Sequence, residues 1–409
     1  MVKPERRTRA DLLAAASIVV VIAVAAALIW WVSDARHTDS SPATIPLPQP
    51  TPAVAVPLAL AELWTTPSPA TTRPVLMDGT VVVGAGPQMS GRDPQTGETV
   101  WSFRRGVDLC GVSWVYRYAV AVYPDRRGCG QVSAIDASTG RRGPARSSYA
   151  DETVRLSSDG TALLSAGRTR LETWRSDLVR TLSYGEIDAR VKPSARGRNS
   201  GCTLGSAAAS AAAVSVLESC ADRDELSLTL LRPGKDEDEP EQRDVPLPGV
   251  GAESTARVLA VVDTTTAVYL PSPHPHVAVI DETGATVSAT ALRTAPSGAA
   301  VDAVAVSRAG ALVTWWTGDA VAVFDSADLT YRYTLTETAD TGRPVGPATM
   351  MADRLLVPVT AGVAVYQPET GVHERTIALS RPSDAAAVIA AVSGSTILEQ
   401  RGDTLVALG

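Results

Sequence analysis

A unit of roughly 43 residues recurs through most of this 409-residue chain, a period that commits a sequence to a stack or ring of small supersecondary units. Five segments align on one another: SGRDPQTGETVW (90–101), SAIDASTGRR (133–142), AVIDETGATV (278–287), AVFDSADLTY (322–331) and AVYQPETGVH (364–373). Each has a short apolar stretch, then Asp or Gln, then a polar turn that usually ends in Gly, then a second strand-like stretch. The Thr-Gly pairs at 96–97, 139–140 and 370–371 supply the Gly that such a hairpin needs at positive φ. Ahead of the five turns run β-formers: Thr80–Gly84, Tyr118–Tyr123, Ala267–Leu270, Ala311–Trp315 and Arg354–Val359.

The spacing fixes the number of units. Asp93 and Asp136 are 43 apart, Asp281 and Asp325 are 44, and Asp325 and Gln367 are 42. The 145 residues between Asp136 and Asp281 hold close to three periods, so two degenerate units are expected there. LETWRSDLVRTL (171–182) and LTLLRPGKDEDE (228–239) fit them, and the late arrival of the second marks Gly185–Ser200 as an inserted loop. One further period after Gln367 ends at Gly409, so the tail LVALG (405–409) matches a strand whose successor is missing. Glu62–Thr66 (ELWTT) resembles Thr99–Phe103 (TVWSF) and can supply that strand, with Trp64 in the place of Trp101. A circular array closed by strands from both termini leaves no open sheet edge. Eight units of about 44 residues are each the length of a four-stranded blade. The expected fold is all-β: an eight-bladed β-propeller over 58–409, closed at Trp64.

The unit GTVVVGAGPQMSGRDPQTGETVWSF (79–103) resembles the pyrroloquinoline-quinone-type repeat of eight-bladed propellers. That family includes quinoprotein alcohol dehydrogenases and the propeller lipoprotein of the outer-membrane β-barrel assembly machinery. The likeness is good in the first two units, fair in the last four and poor over 161–250. It implies a fold and says little about function. Only three of the 37 basic residues are Lys, as expected of a GC-rich, bacterial genome.

The N-terminus sets the expected compartment. Residues 12–32, LLAAASIVVVIAVAAALIWWV, are uninterruptedly apolar and long enough to cross a bilayer as a helix. Trp30 and Trp31 lie at the far end, where indole rings favour the interface. Before the run, in 1–11, Lys3, Arg6, Arg7 and Arg9 face Glu5 and Asp11, so a basic cytoplasmic tail and an exported remainder are expected. A cleaved signal peptide is the rival, with Ser33 and Ala35 as a small-x-small site, but the apolar run exceeds a signal peptide's core. The segment 33–57 carries prolines at 42, 46, 48, 50, 52 and 57 and reads as an extended spacer holding the domain off the membrane. With 37 basic residues against 44 acids and a net charge of −7, no basic field favours nucleic acid.

Cys110 and Cys129 lie 19 apart and Cys202 and Cys220 18 apart, each pair bracketing the same piece of a blade. In an antiparallel hairpin the start of the first strand neighbours the end of the second, so both pairs are expected to form disulfides in an exported domain. No C-x-x-C or interleaved His supports a metal site instead.

Catalytic signals are sparse. Quinone enzymes of the resembling family carry adjacent cysteines and a calcium shell; no two cysteines here are adjacent and the chain has one Asn, Asn199, so no cofactor or metal is expected. His274-Pro-His276 seeds a metal site without an assignable third ligand and reads as a loop. Gly84-Ala-Gly86 with Gly91 lacks the helix that a dinucleotide loop needs. Arg401-Gly402-Asp403 falls where the last blade needs a hairpin, and the acidic run 235–241 reads as a solvated loop. Trp114, Tyr116 and Tyr118 could stack a sugar, though blade packing accounts for most of them. These readings favour a membrane-anchored, extracytoplasmic scaffold that binds an envelope protein. The alternative is an envelope enzyme or sensor holding a quinone or sugar in the propeller funnel. Arg, His or carboxylates converging on the axis would favour the alternative, and a bland axis with a rim patch would favour the scaffold.

Overall fold

Eight antiparallel sheets, paired strand to strand in chain order, make up residues 75–104, 111–147, 155–185, 202–251, 257–291, 306–335, 349–378 and 388–408. We number these blades 1 to 8. The computed structural model describes residues 8–186, 201–237, 239–297, 305–382 and 387–409; most of the expected insertion at 185–200 lies outside them. In most blades the first strand touches the first strand of a neighbouring blade, so first strands line the axis, with fourth strands at the rim. The result is an eight-bladed propeller preceded by one helix, Arg9–Val32. The degenerate units at 171–182 and 228–239 both fall on the hairpin between third and fourth strands, in blades 3 and 4.

Ring closure uses both ends of the domain. Blade 8 contributes Val388–Ser393, Thr396–Arg401 and Thr404–Leu408, and Glu62–Pro67 completes it, with Trp64 opposite Ala407 and Thr66 opposite Leu405. The edge left bare by the C-terminal strand is thereby paired.

The repeated turn holds neighbouring blades together. Asp93 Oδ1 accepts from the backbone N–H groups of Gln95 and Thr96, and Asp136 Oδ1 accepts from that of Thr139, so the carboxylate shapes each turn. Gly97 and Gly140 then adopt φ of 75° and 69°. A Cβ on Gly97 would stand 2.8 Å from the Trp64 ring, and one on Gly140 would stand 2.4 Å from Trp101. The indole of each preceding outer strand thus lies on the next blade's turn. Trp64 Nε1 donates to Pro94 O at 3.1 Å and Trp101 Nε1 to Ala137 O at 2.7 Å. Tyr333 repeats the contact from blade 6 to Pro368 O in blade 7, and Arg146 from blade 2 to Leu178 O in blade 3. Gly91, paired with Trp101, leaves room for that ring: a Cβ there would be 2.2 Å from Nε1.

The proline-rich segment departs from the spacer expected of it. Asp39–Ser41 adds a fifth strand to blade 1, pairing with Ser102–Arg104. Ala43 N then donates to Thr139 O on blade 2, and Pro48 lies against Gly79. Gln49 Nε2 donates to Asp78 Oδ1 at 3.0 Å, and Pro50 and Thr51 reach Gly394. Val56 is buried among Met351, Val363 and Val365 of blade 7, and the Arg375 guanidinium donates to Val56 O and Pro57 O. Proline leaves carbonyls without neighbouring N–H groups, which suits a strand tied down by side chains. Residues 39–61 are a strap across one face of the ring, not a free tether.

Candidate functional site

Two faces follow from the meander. The turns after first and third strands lie on one face, and the strap crosses it; turns after second and fourth strands lie on the other. Under the strap, turns Met77–Thr80, Met350–Ala352 and Val392–Gly394 enclose a cavity of about 350 Å³ at the mouth of the axial channel, with Gln49, Pro50, Pro52 and Ala53 as its cover.

The channel itself is lined by the first strands, whose sequences are VLM, GVSWV, RLSS, CTLGSAAA, RVLAVV, VSRA, TMM and VIAAVS. Most of these residues are small or apolar. The charged ones are Arg155, Arg257 and Arg308, and no acid occurs in any of the eight. Arg73 precedes the first strand of blade 1 by two residues, and its Nη2 donates at 3.1 Å to the carbonyl of Val306, which opens the first strand of blade 6. Burial pulls its pKa below the ordinary arginine value, with no carboxylate among the described residues acting against that. Elsewhere the interior pairs its guanidinium groups: Arg170 with Glu172 at 2.6 Å, and Arg381 and Arg401 with Glu399 at 2.5 and 2.7 Å. Glu172 is raised by burial but held below the usual carboxylate range by Arg170 and by its hydrogen bonds. The axis therefore combines a bland wall with a small set of cations.

Both cysteine pairs form disulfides. Cys202 and Cys220 face each other across the first two strands of blade 4, with Cα atoms 4.1 Å apart, as the hairpin argument requires. Cys110 and Cys129 are 6.0 Å apart, but Cys129 sits on the third strand of blade 2, not at the end of the second. The second strand ends at Asp125 and the chain has already reversed at Arg126 and Arg127. Among the described residues the single group with metal-like spacing is Cys202, Glu218 and Cys220, whose two sulfurs are bonded to each other.

The remaining candidates resolve into structure. His276 Nδ1 lies 2.8 Å from His274 O at the exposed entry to a strand. Gly84 sits in a strand where a Cβ would meet Val112 at 2.7 Å, and Gly86 turns the hairpin after it. Arg401, Gly402 and Asp403 form the hairpin of blade 8, with Arg401 turned inward onto Glu399. Within the acidic run, Glu237 pairs with Arg180 and Glu241 with Arg232. Trp114 packs on Gly160 and Tyr118 on Gly143, leaving Tyr116 alone exposed, so the three rings form no sugar-stacking platform.

The rim carries what sequence reasoning missed. Val287, Tyr331, Val372 and Leu63, 36–57% exposed, stand at or beside the start of the fourth strands of blades 5, 6, 7 and 8. Blade 3 has Val179 exposed beside the start of its fourth strand, whereas blades 2 and 4 place Arg142 and Glu241 there, and in blade 1 the strap's strand pairs alongside. Such a row becomes visible only after the blades are registered against one another.

No family model and no curated protein matches the chain. Among solved structures it is similar to Sqt1 of Saccharomyces cerevisiae (TM-score 0.50, 11% identity, covering 90% of this chain and 99% of that one). It is also similar to BamB from Moraxella catarrhalis (0.45, 14%, 86% and 97%) and to the dihydro-heme d1 dehydrogenase NirN (0.47, 13%, 80% and 67%). What this chain shares with Sqt1, at such an identity, is the fold alone.

Proposed function

We propose that the chain is a single-pass membrane protein, N-terminus in the cytoplasm, whose extracytoplasmic propeller binds a protein partner of the cell envelope along the rim of blades 5 to 8. The observation that carries this reading is the row of Val287, Tyr331, Val372 and Leu63, one exposed apolar side chain on each of four consecutive blades. A partner laid along the rim would cover all four, whereas a monomer gains nothing from exposing them on successive blades. The apolar helix Arg9–Val32 supports an anchor, and the two disulfides support an oxidising compartment.

A photo-crosslinking residue placed at position 372 or 287 in intact cells should give a discrete adduct for identification by mass spectrometry. The same residue at exposed Arg126, on the opposite face, should give none. No adduct from the rim, or the same adduct from all three positions, would sink the reading.

A further inference from the structure

The propeller is reached from the apolar helix by a short path. Six residues, 33–38, separate the helix end at Val32 from Asp39, which already pairs with Arg104 on the outer strand of blade 1. Fully extended, the steps from 32 to 39 would reach about 25 Å. The connector is not extended. Ser33 N and Oγ both donate to Trp30 O, and Arg36 N donates to Ser33 O. Asp34–His37 is a turn of 3-10 helix, rising about 2 Å per residue, which brings the reach below about 20 Å. The Arg36 guanidinium folds back over Trp31, its carbon 3.7 Å from that ring's centre and 5.6 Å from that of Trp30. At its far end the connector meets the propeller, since a Cβ on Gly106 would stand 3.0 Å from that of His37.

Indole rings favour the membrane interface, so a connector folded onto them starts within the headgroup zone, about 5–8 Å deep on each side. Blade 1 then has no slack in which to stand clear of the bilayer. The entering strand runs antiparallel to Thr99–Arg104, so the chain arrives at the Arg104 end, on the face that the strap does not cross. The link leaving that same end carries Gly106, Val107 and Asp108, all exposed, with the Val107 side chain 43% exposed.

We propose that the underside of blade 1, the link 105–108 with Val107 at its tip, is a lipid-contacting surface seated in the headgroup region of the membrane that Arg9–Val32 crosses. The occupant follows from where the connector ends. A folded partner of even 100 residues is more than about 30 Å across and does not fit a gap this short. Arg36, held on the indoles, is placed to donate to lipid phosphates. The inference rests on the helix spanning the membrane, as in the function proposed above, and not on the apolar rim. Blade 5, with Val287, stands across the ring from blade 1.

The full-length chain, reconstituted into phosphatidylcholine vesicles in which part of the lipid carries a headgroup nitroxide, provides the test. Dansylalanine placed at position 107 should lose its fluorescence to the nitroxide, and dansylalanine at 287 should keep it. Position 108 serves should the label at 107 disturb the link. A flexible Gly/Ser insert of about twenty residues between Thr38 and Asp39, adding a span of about 25 Å, should restore the fluorescence at 107. Flotation of the same vesicles after an alkaline wash separates the two readings at stake. Protein that does not float with the lipid overturns the anchor and this inference together. Protein that floats with position 107 unquenched, or with 107 and 287 quenched alike, overturns this inference alone. So does quenching at 107 that survives the insert.

Discussion

Trp64 and Gly97 offer a direct measure of how one blade grips the next. Trp64 is half-buried, with its indole on Gly97 and its N–H on Pro94 O at 3.1 Å. Trp101, its counterpart one blade on, is 1% exposed. Truncating a fully buried Trp costs about 3–5 kcal/mol, so Trp101→Ala should fall in that range. Partial exposure scales Trp64→Ala down to about 2 kcal/mol, hydrogen bond included. Gly97→Ala meets two penalties: about 1–2 kcal/mol for an L-residue in the left-handed region, and about 1 kcal/mol or more for a Cβ pressed into the ring. Removing the ring removes only the second. In the Trp64→Ala background Gly97→Ala should therefore cost about 1 kcal/mol less than in wild type. Calorimetry and urea melts of the four proteins, full-length in detergent, supply the cycle. If the two substitutions add to within about 0.5 kcal/mol, the glycine is not there to admit the indole. If Trp64→Ala proves as costly as Trp101→Ala, burial does not set the strength of the latch.

Three further outcomes are expected. Mass mapping of unreduced protein should give Cys110–Cys129 and Cys202–Cys220, and replacing either pair by Ser should cost about 3 kcal/mol on the loop-entropy argument; a 110–202 peptide would contradict the blade register. Arg375→Ala releases the strap's ties at Val56 O and Pro57 O, so proteolysis within 42–57 should accelerate; an unchanged rate would mean the strap is held elsewhere. Burial raises the Asp136 carboxyl, but bonds from Ser138, Thr139 and Arg117 outweigh this and hold it at about 2, below the usual 3.8. Because the unfolded chain takes up that proton first, the stabilisation is whole above about pH 4 and is lost as pH falls towards 2. In acid titrations Asp136→Asn should lose that part of the slope, and an identical slope would refute the assignment.

The blades were legible because each turn carries local chemistry at a fixed interval. Thr-Gly at 96–97 and 139–140 answers both a positive φ and a neighbouring indole, and both demands leave the same residue in the sequence. Ring closure was legible for a related reason: Glu62–Thr66 and Leu405–Gly409 are halves of one pattern. The strap was not. Its prolines exclude helix and ladder donors, but nothing in them says which surface the extended chain will follow. Contacts such as Gln49 with Asp78, or Val56 with Met351, exist only after the ring has closed. Cys129 shifted by one strand because a two-residue reversal at Arg126 and Arg127 has no Gly-Asn signature. Arg73 was not legible either, since its bond to Val306 O forms only once blade 6 lies across the axis from the link into blade 1.

The strap also gives the molecule a mechanical order of failure. A pull on the N-terminal helix arrives first at Asp39, whose strand of three residues is paired to the outer edge of blade 1. Drawn along its own axis that strand loads its hydrogen bonds together in shear; drawn sideways it peels one at a time. Only when it has parted does tension pass to Ala43 on Thr139 O and Gln49 on Asp78, then to the Arg375 ties, and only after those to the seam between Glu62–Pro67 and Thr404–Leu408. A series of weak fuses thus stands ahead of the junction whose rupture would open the ring.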